Sequence, residues 1–184
     1  VVALKTNNPQ DLLNNAQIIH SAADVQNAIL RLSHEISEAI ENKTPVVICV
    51  MGGGIVFAGQ ILTNLKFPLE LDYVHASRYQ NGTIGKALVW KSLPKLDLTN
   101  RTVLLIDDIL DEGVTLKEIQ DKCFSLGAKE VYSAVFVEKT LEIIKPIKAD
   151  FVGLKVPNAY VFGYGMDVYG WWRNLDAIYA MHLN

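Results

Sequence analysis

The stretch "VLLIDDILDEGVTL", Val103–Leu116, decides how the chain is read. An apolar run opens it, so the spacing predicts a buried strand that breaks into a loop at the aspartates and restarts as a helix. A loop feeding a helix N-terminus suits an anion, because unpaired N–H groups point outward there. Yet this loop carries Asp107, Asp108, Asp111 and Glu112 directly ahead of Gly113-Val114-Thr115. The backbone amides and the Thr115 hydroxyl can hold a phosphate; the carboxylates must face something else. Ribose hydroxyls fit, since an ionised carboxylate only accepts hydrogen bonds, and so does Mg²⁺, a hard cation that favours oxygen ligands. The pattern points to a sugar phosphate with a metal nearby.

Outward from that stretch, helical and extended patterns alternate. Ser21 with Asp24 forms a capping-box start for a helix kept in period by Val25, Ile29, Leu32, Ile36 and Ile40, to about Asn42. Pro45 introduces "VVICVM", a continuously apolar strand, and Gly52-Gly53-Gly54 turns it into a second helix, "IVFAGQILTNL". "LELDYVHA", "ALVWKSL", "EVYSAVFVE", "DFVGLKV" and "YVFGYG" read as extended, and Gly127 ends the helix that follows the acidic loop. The alternation predicts an α/β fold: one domain, residues 1–184, with a twisted, mainly parallel sheet flanked by helices. A small hood lobe is expected from about 1–20 and 155–184, around a core of about 21–154. Ligands in such sheets collect beyond the strand C-ends, where Gly52–Gly54, Asp107–Thr115, Lys139 and the segment after Val156 all fall.

Composition excludes several classes. Across 184 residues the net charge is −3, with no basic footprint for nucleic acid. No apolar run is long enough to span a bilayer, and the N-terminal residues lack the pattern of a secretion signal. Cys49 and Cys123 sit in apolar contexts and read as core thiols, which predicts a cytoplasmic protein; His20, His34, His75 and His182 are too scattered to gather a metal.

"VLLIDDILDEGVTL" resembles the phosphoribosyl-pyrophosphate motif of the type I phosphoribosyltransferases, and the chain from about Val46 onward is similar to their hypoxanthine/guanine branch. That resemblance implies transfer of 5-phosphoribose from phosphoribosyl pyrophosphate to N9 of a 6-oxopurine, with Mg²⁺ required and a homodimer or homotetramer expected. It implies that Asp107 and Asp108 hold the ribose hydroxyls, directly or through a metal, and that Asp111 is the general acid/base beside N7. Asp111, Glu112, Gly113, Val114 and Thr115 would form the 5-phosphate loop; Lys139 would donate to the purine O6. In "VPNAYVFGYGMD", Tyr160 would stack on the base, the Val161 backbone would bond its edge, and Asp167 would lie by the purine and bind Mg²⁺. Gly52, Gly53 and Arg173 would meet the pyrophosphate, and "SRYQNGT", with Arg78 and Tyr79, would be a mobile loop closing over the site. A lysine can donate to a 6-oxo group but offers no acceptor to the 6-amino group of adenine, a discrimination worth up to about 10⁴-fold.

The chain departs from the family pattern at three places. Gly52 stands where a basic residue is common, Arg78-Tyr79 where Ser-Tyr is usual, and Glu112 where a threonine is frequent. Arg78 is expected to restore the missing positive charge on closure, and the Glu112 carboxylate to point away from the phosphate. Two rival readings remain: a non-catalytic sensor of phosphoribosyl pyrophosphate or purine, and an enzyme preferring xanthine. A dinucleotide-binding oxidoreductase, suggested by "MGGGIVFAG" with Asp72 downstream, fails because Phe57 occupies the third glycine position.

Overall fold

The computed structural model describes residues 8–78 and 88–181. Its elements are α1 Pro9–Asn14, β1 Ala16–His20, α2 Ala22–Ile40, β2 Val46–Met51, α3 Gly54–Leu62, β3 Glu70–Arg78, β4 Leu88–Ser92, β5 Thr102–Leu110, α4 Val114–Ser125, β6 Glu130–Lys139, β7 Phe151–Val156, β8 Val161–Phe162 and β9 Ile178–Met181. Six strands form the main sheet in the order β4-β3-β2-β5-β6-β7, and β1-β9-β8 form a second sheet. All pairings in the main sheet are parallel except β3 with the edge strand β4.

The apolar runs follow from burial on both faces. Leu104 and Ile106 of β5 join Ile29 and Leu32 of α2 and Phe57 of α3 on one side. Val103 and Leu105 join Leu116, Ile119 and Cys123 of α4 on the other. Side chains alternate along a strand, so each layer takes every second residue and no polar position remains. α2 is capped as its sequence dictates: Asp24 N–H donates to Ser21 Oγ (3.3 Å) and Ser21 N–H to Asp24 Oδ2 (2.8 Å). The two cysteines are free and buried, and burial pushes the Cys49 thiol up to about 12 and Cys123 up to about 11. Asp72 is no ribose ligand: its buried carboxylate accepts the amides of Tyr73, Lys95 and Leu96 at 2.8, 2.6 and 2.9 Å, pinning the chain after β4.

Three expectations are corrected. β5 does not break at Asp107; it stays paired with β6 through Asp107–Val135, Ile109–Val137 and Leu110–Glu138, because Ile109 and Leu110 resume the apolar pattern. α3 ends at Leu62 rather than running on to Leu65, since Asn64 N–H turns back to the Ile61 carbonyl (2.9 Å). In "YVFGYG" only Val161–Phe162 is strand; beyond it Tyr164 adopts φ +48° and the chain coils.

Strand order reverses around β2 and β5: β3 lies on one side of β2, and β6 lies beyond β5. The gap between their C-ends is where a doubly wound sheet opens for a ligand. The second sheet leans over this end, and Gly165 approaches the Gly53 carbonyl more closely than any side chain would allow.

Candidate active site

Two adjoining clefts occupy the reversal point. The larger, about 410 Å³, is lined by Gly53, Asp107, Asp108, the whole turn from Asp111 to Leu116, Asp167 and Arg173. The smaller, about 260 Å³, is lined by Lys139, Tyr160, Val161 and Met166, and shares Asp108, Ile109, Asp111 and Asp167 with its neighbour. Asp111 and Asp167 therefore stand on the boundary between a carboxylate- and amide-lined chamber and a flatter, partly aromatic one.

Asp107 and Asp108 reach the larger cleft because β5 carries them past the apolar layers to its C-end. Burial, and then the adjacent Asp108 carboxylate, push the Asp107 carboxyl well above the usual range. Burial also raises Asp108, opposed by a hydrogen bond with Asp107 and by the Arg173 guanidinium. Gly53 has no room for a side chain, since a Cβ there would run into the Asp108 carboxylate; the same atom on Gly52 would meet nothing within 4 Å.

Gly113 makes the turn into α4 with φ +84°, a left-handed conformation that glycine adopts at little cost. It has no side chain to cap the first-turn amides, so the N-terminus of α4 opens onto the cleft, with Val114 and Thr115 in its lining. Unpaired N–H groups and the helix dipole make this an anion cradle. Glu112 is exposed at the rim of the same turn.

Lys139, at the end of β6, donates from Nζ to Asp111 Oδ2 at 2.7 Å. The lysine is largely buried and Asp111 half exposed. Tyr160 is 48 % exposed and stacks on Tyr169, 6.3 Å between ring centroids, while Val161 is buried in β8. The segment carrying Asp167 and Arg173 is fixed by its backbone, with Gly165 N–H donating to Arg173 O (2.8 Å) and Arg173 Nη1 to Gly165 O (2.6 Å). Trp172 Nε1 anchors it to Pro9 O of α1 at 2.6 Å. Trp171 is exposed.

Asp167 and Arg173 are paired with each other at 2.5 Å, and Asp167 also accepts Gly170 N–H (2.7 Å). Among the described residues no three of His, Cys, Asp and Glu are gathered as a complete metal-ligand set. Arg78 ends β3 with its side chain outside the described residues, and Tyr79 and the rest of the expected closing loop lie outside them too.

The family model described as phosphoribosyl transferase domain matches residues 15–169. The chain belongs to the phosphoribosyltransferase family. It is 32 % identical over 165 residues to the hypoxanthine-guanine-xanthine phosphoribosyltransferase of Tritrichomonas foetus, covering 88 % of this chain and 89 % of that one. It is 31 % identical to the hypoxanthine-guanine phosphoribosyltransferase of Bacillus subtilis, covering 88 % and 91 %. With the bifunctional protein TilS/HprT of Listeria innocua identity is 34 % over 88 % of this chain, which spans 25 % of that protein's length. Among solved structures, a hypoxanthine phosphoribosyltransferase from Staphylococcus aureus superposes with a TM-score of 0.86 at 25 % identity, covering 97 % of each chain.

Ile109 was not singled out from sequence, yet it lines both clefts of this family member. A reader of the motif sees it as one more strand residue. Its signal is alternation: it lies between two acids that face the site.

Proposed function

We propose that this phosphoribosyltransferase moves 5-phosphoribose from phosphoribosyl pyrophosphate to N9 of hypoxanthine or guanine, releasing pyrophosphate, in purine salvage. The observation that carries the reading is the adjacency of the two clefts with the Asp111–Lys139 pair in the smaller one, 2.7 Å apart. N7 and O6 lie side by side on one edge of a 6-oxopurine, so one bound base meets a carboxylate and an ammonium together. Lys139 donates to O6, Tyr160 covers the ring and the Val161 backbone bonds its far edge.

The sugar occupies the larger cleft. Gly113, Val114 and Thr115, with the amides of Asp111 and Glu112, hold the 5-phosphate, and Asp107 and Asp108 accept from the ribose 2- and 3-hydroxyls. As the bond from C1 to pyrophosphate breaks and C1–N9 forms, the electron pair leaves with pyrophosphate and the base's proton passes from N7 to the Asp111 carboxylate. Arg173 and the backbone at Gly52 and Gly53 receive the leaving group, where charge accumulates.

A divalent metal fits the donor set. Asp107 and Asp108 are hard oxygen ligands whose charge burial leaves poorly compensated, and Asp167 lines the same cleft. Because no three of these groups converge on one point, Mg²⁺ would be held by Asp107 and Asp108 or by Asp167 together with substrate and water oxygens, and would neutralise charge on pyrophosphate. A core of about 21–154 with a hood from about 1–20 and 155–184 is supported by the grouping of β1, β8 and β9 in a sheet of their own. Assembly as a homodimer or homotetramer is supported by exposed Leu71 and Tyr73 on β3 and Val89 on β4. A cytoplasmic location accords with two free buried thiols.

The test is to mix the purified protein with phosphoribosyl pyrophosphate, Mg²⁺ and hypoxanthine, guanine, xanthine or adenine, and to detect the nucleotide. Nucleotide from hypoxanthine or guanine, with none from adenine, is expected. Tight binding of both ligands with no nucleotide formed would mean a sensor instead.

A further inference from the structure

Beneath the two clefts, on the α4 side of the sheet, lies a side chain that touches neither. Lys145 follows β6 in an irregular stretch, and its side chain is only 11 % exposed. Its ammonium donates to Lys139 O at 2.6 Å, Leu110 O at 3.2 Å and Glu138 Oε1 at 3.3 Å. An ammonium has three protons, and three acceptors stand around this one. All three belong to the place where β5 and β6 stop being a ladder, whose last register pair is Leu110–Glu138. One residue further on, Asp111 and Lys139 make their side-chain bond across the same gap. The stem of Lys145 also packs under the turn, its Cβ 3.5 Å from where a Cβ on Gly113 would stand.

We propose that Lys145 is a positioning residue: by clipping the carbonyls of Leu110 and Lys139 together from below, it sets the spacing of Asp111 and Lys139 that a 6-oxopurine must match. The inference rests on the roles given above to those two residues. The last register pair of the ladder is Leu110–Glu138, so Asp111 and Lys139 are not themselves paired in it. β7 holds Lys139 from its other flank; toward β5, the side-chain tie besides the clip is the Asp111–Lys139 contact, which the base must engage on binding. The ribose grip at Asp107 lies deeper in the ladder, paired with Val135, and the phosphate turn rests on the Lys145 stem rather than its charge. Removing the ammonium while keeping the stem should therefore loosen the purine side and spare the sugar side.

The variants are Lys145→Met, Lys139→Met and the pair together, measured for KM of each substrate, kcat and thermal midpoint. Lys145→Met is expected to raise KM for hypoxanthine about tenfold, within the range for lost hydrogen bonds to a charged donor, with KM for phosphoribosyl pyrophosphate within about twofold. In the Lys139→Met background the same change should add less than about twofold, since coupled residues are non-additive. Equal increases in both KM values, an unchanged purine KM, or additive losses in the double variant would overturn the proposal. Should Lys145→Met fail to fold, Lys145→Arg keeps the charge and stem, but a planar fork cannot meet three acceptors around one tetrahedral nitrogen. It should raise purine KM alone, and wild-type behaviour would overturn the proposal as firmly. An unchanged purine KM in Lys139→Met itself would instead refute the role given to Lys139, so the two failures are told apart.

Discussion

Replacing Asp111 with asparagine should remove chemistry while leaving the fold almost untouched, and the structure gives a magnitude for each half. The Asp111 side chain is 49 % exposed, and its ion pair with Lys139 is at 2.7 Å. The carboxylate is half in water, which screens the pair to about 1 kcal/mol, and although Lys139 is largely buried, asparagine retains an oxygen that can accept from it. For a domain of this size, less than about 1 kcal/mol moves the thermal midpoint by no more than roughly 4 °C. Turnover is a different matter. An amide cannot take the N7 proton, and loss of a positioned general acid/base costs typically about 10²–10⁴-fold, or roughly 3–5 kcal/mol of barrier. In the proposed function the 5-phosphate is held by backbone amides that the substitution leaves in place, so KM for phosphoribosyl pyrophosphate should change by less than about threefold, as expected when only transition-state interactions are lost. Initial rates of nucleotide formation at saturating substrate, paired with a thermal melt, measure both halves. A kcat within threefold of the parent would refute the assignment. So would a parallel loss in both KM values with a collapsed midpoint, since the carboxylate would then be serving structure.

Two further predictions use other residues of the cleft. Gly53→Ala places a methyl group against the Asp108 carboxylate, so it should cost about 1–3 kcal/mol of stability and most of the activity, whereas Gly52→Ala should leave the thermal midpoint unchanged; equal melts for the two would show that the loop simply moves aside. Asp107 titrates above the usual carboxylate range when folded, so its contribution to stability is complete below the unfolded value and is lost as pH rises through the folded one. Asp107→Asn cannot ionise, and in chelator-treated buffer its thermal midpoint should gain on the parent steadily from pH 5 to pH 8; a constant difference would mean that the carboxylate carries no burial penalty.

Much of this was legible in the residue order because the information is local. The apolar run of β2, the Ser21–Asp24 cap and the turn at Gly113 each depend on neighbours a few positions away, and periodicity with turn chemistry reports them directly. The order of elements along the chain was legible for the same reason, and with it the end of the sheet at which Asp107, Asp111 and Lys139 come together, although not the residue at which β5 stops. β1 and β9 were not read as strands: each is five residues or fewer, and they are held by pairing with each other across the length of the chain. Lys145 was silent too, since nothing in "EIIKPIK" distinguishes a lysine that saturates its three donors on two strand-end carbonyls and a carboxylate from one that points into water.

What the order of residues determined alone, then, is the alternating α/β framework and the amide-and-carboxylate chemistry of one loop, because hydrophobic period and helix-terminal hydrogen bonding act within about one turn or strand. Tertiary structure decided the rest: that β5 carries Asp107 and Asp108 as strand rather than loop, that Asp167 is held by Arg173, and that Asp111 meets Lys139 at hydrogen-bond distance. Those relations join residues far apart in the chain, and only packing of the sheet and its covering layer sets the distances between them.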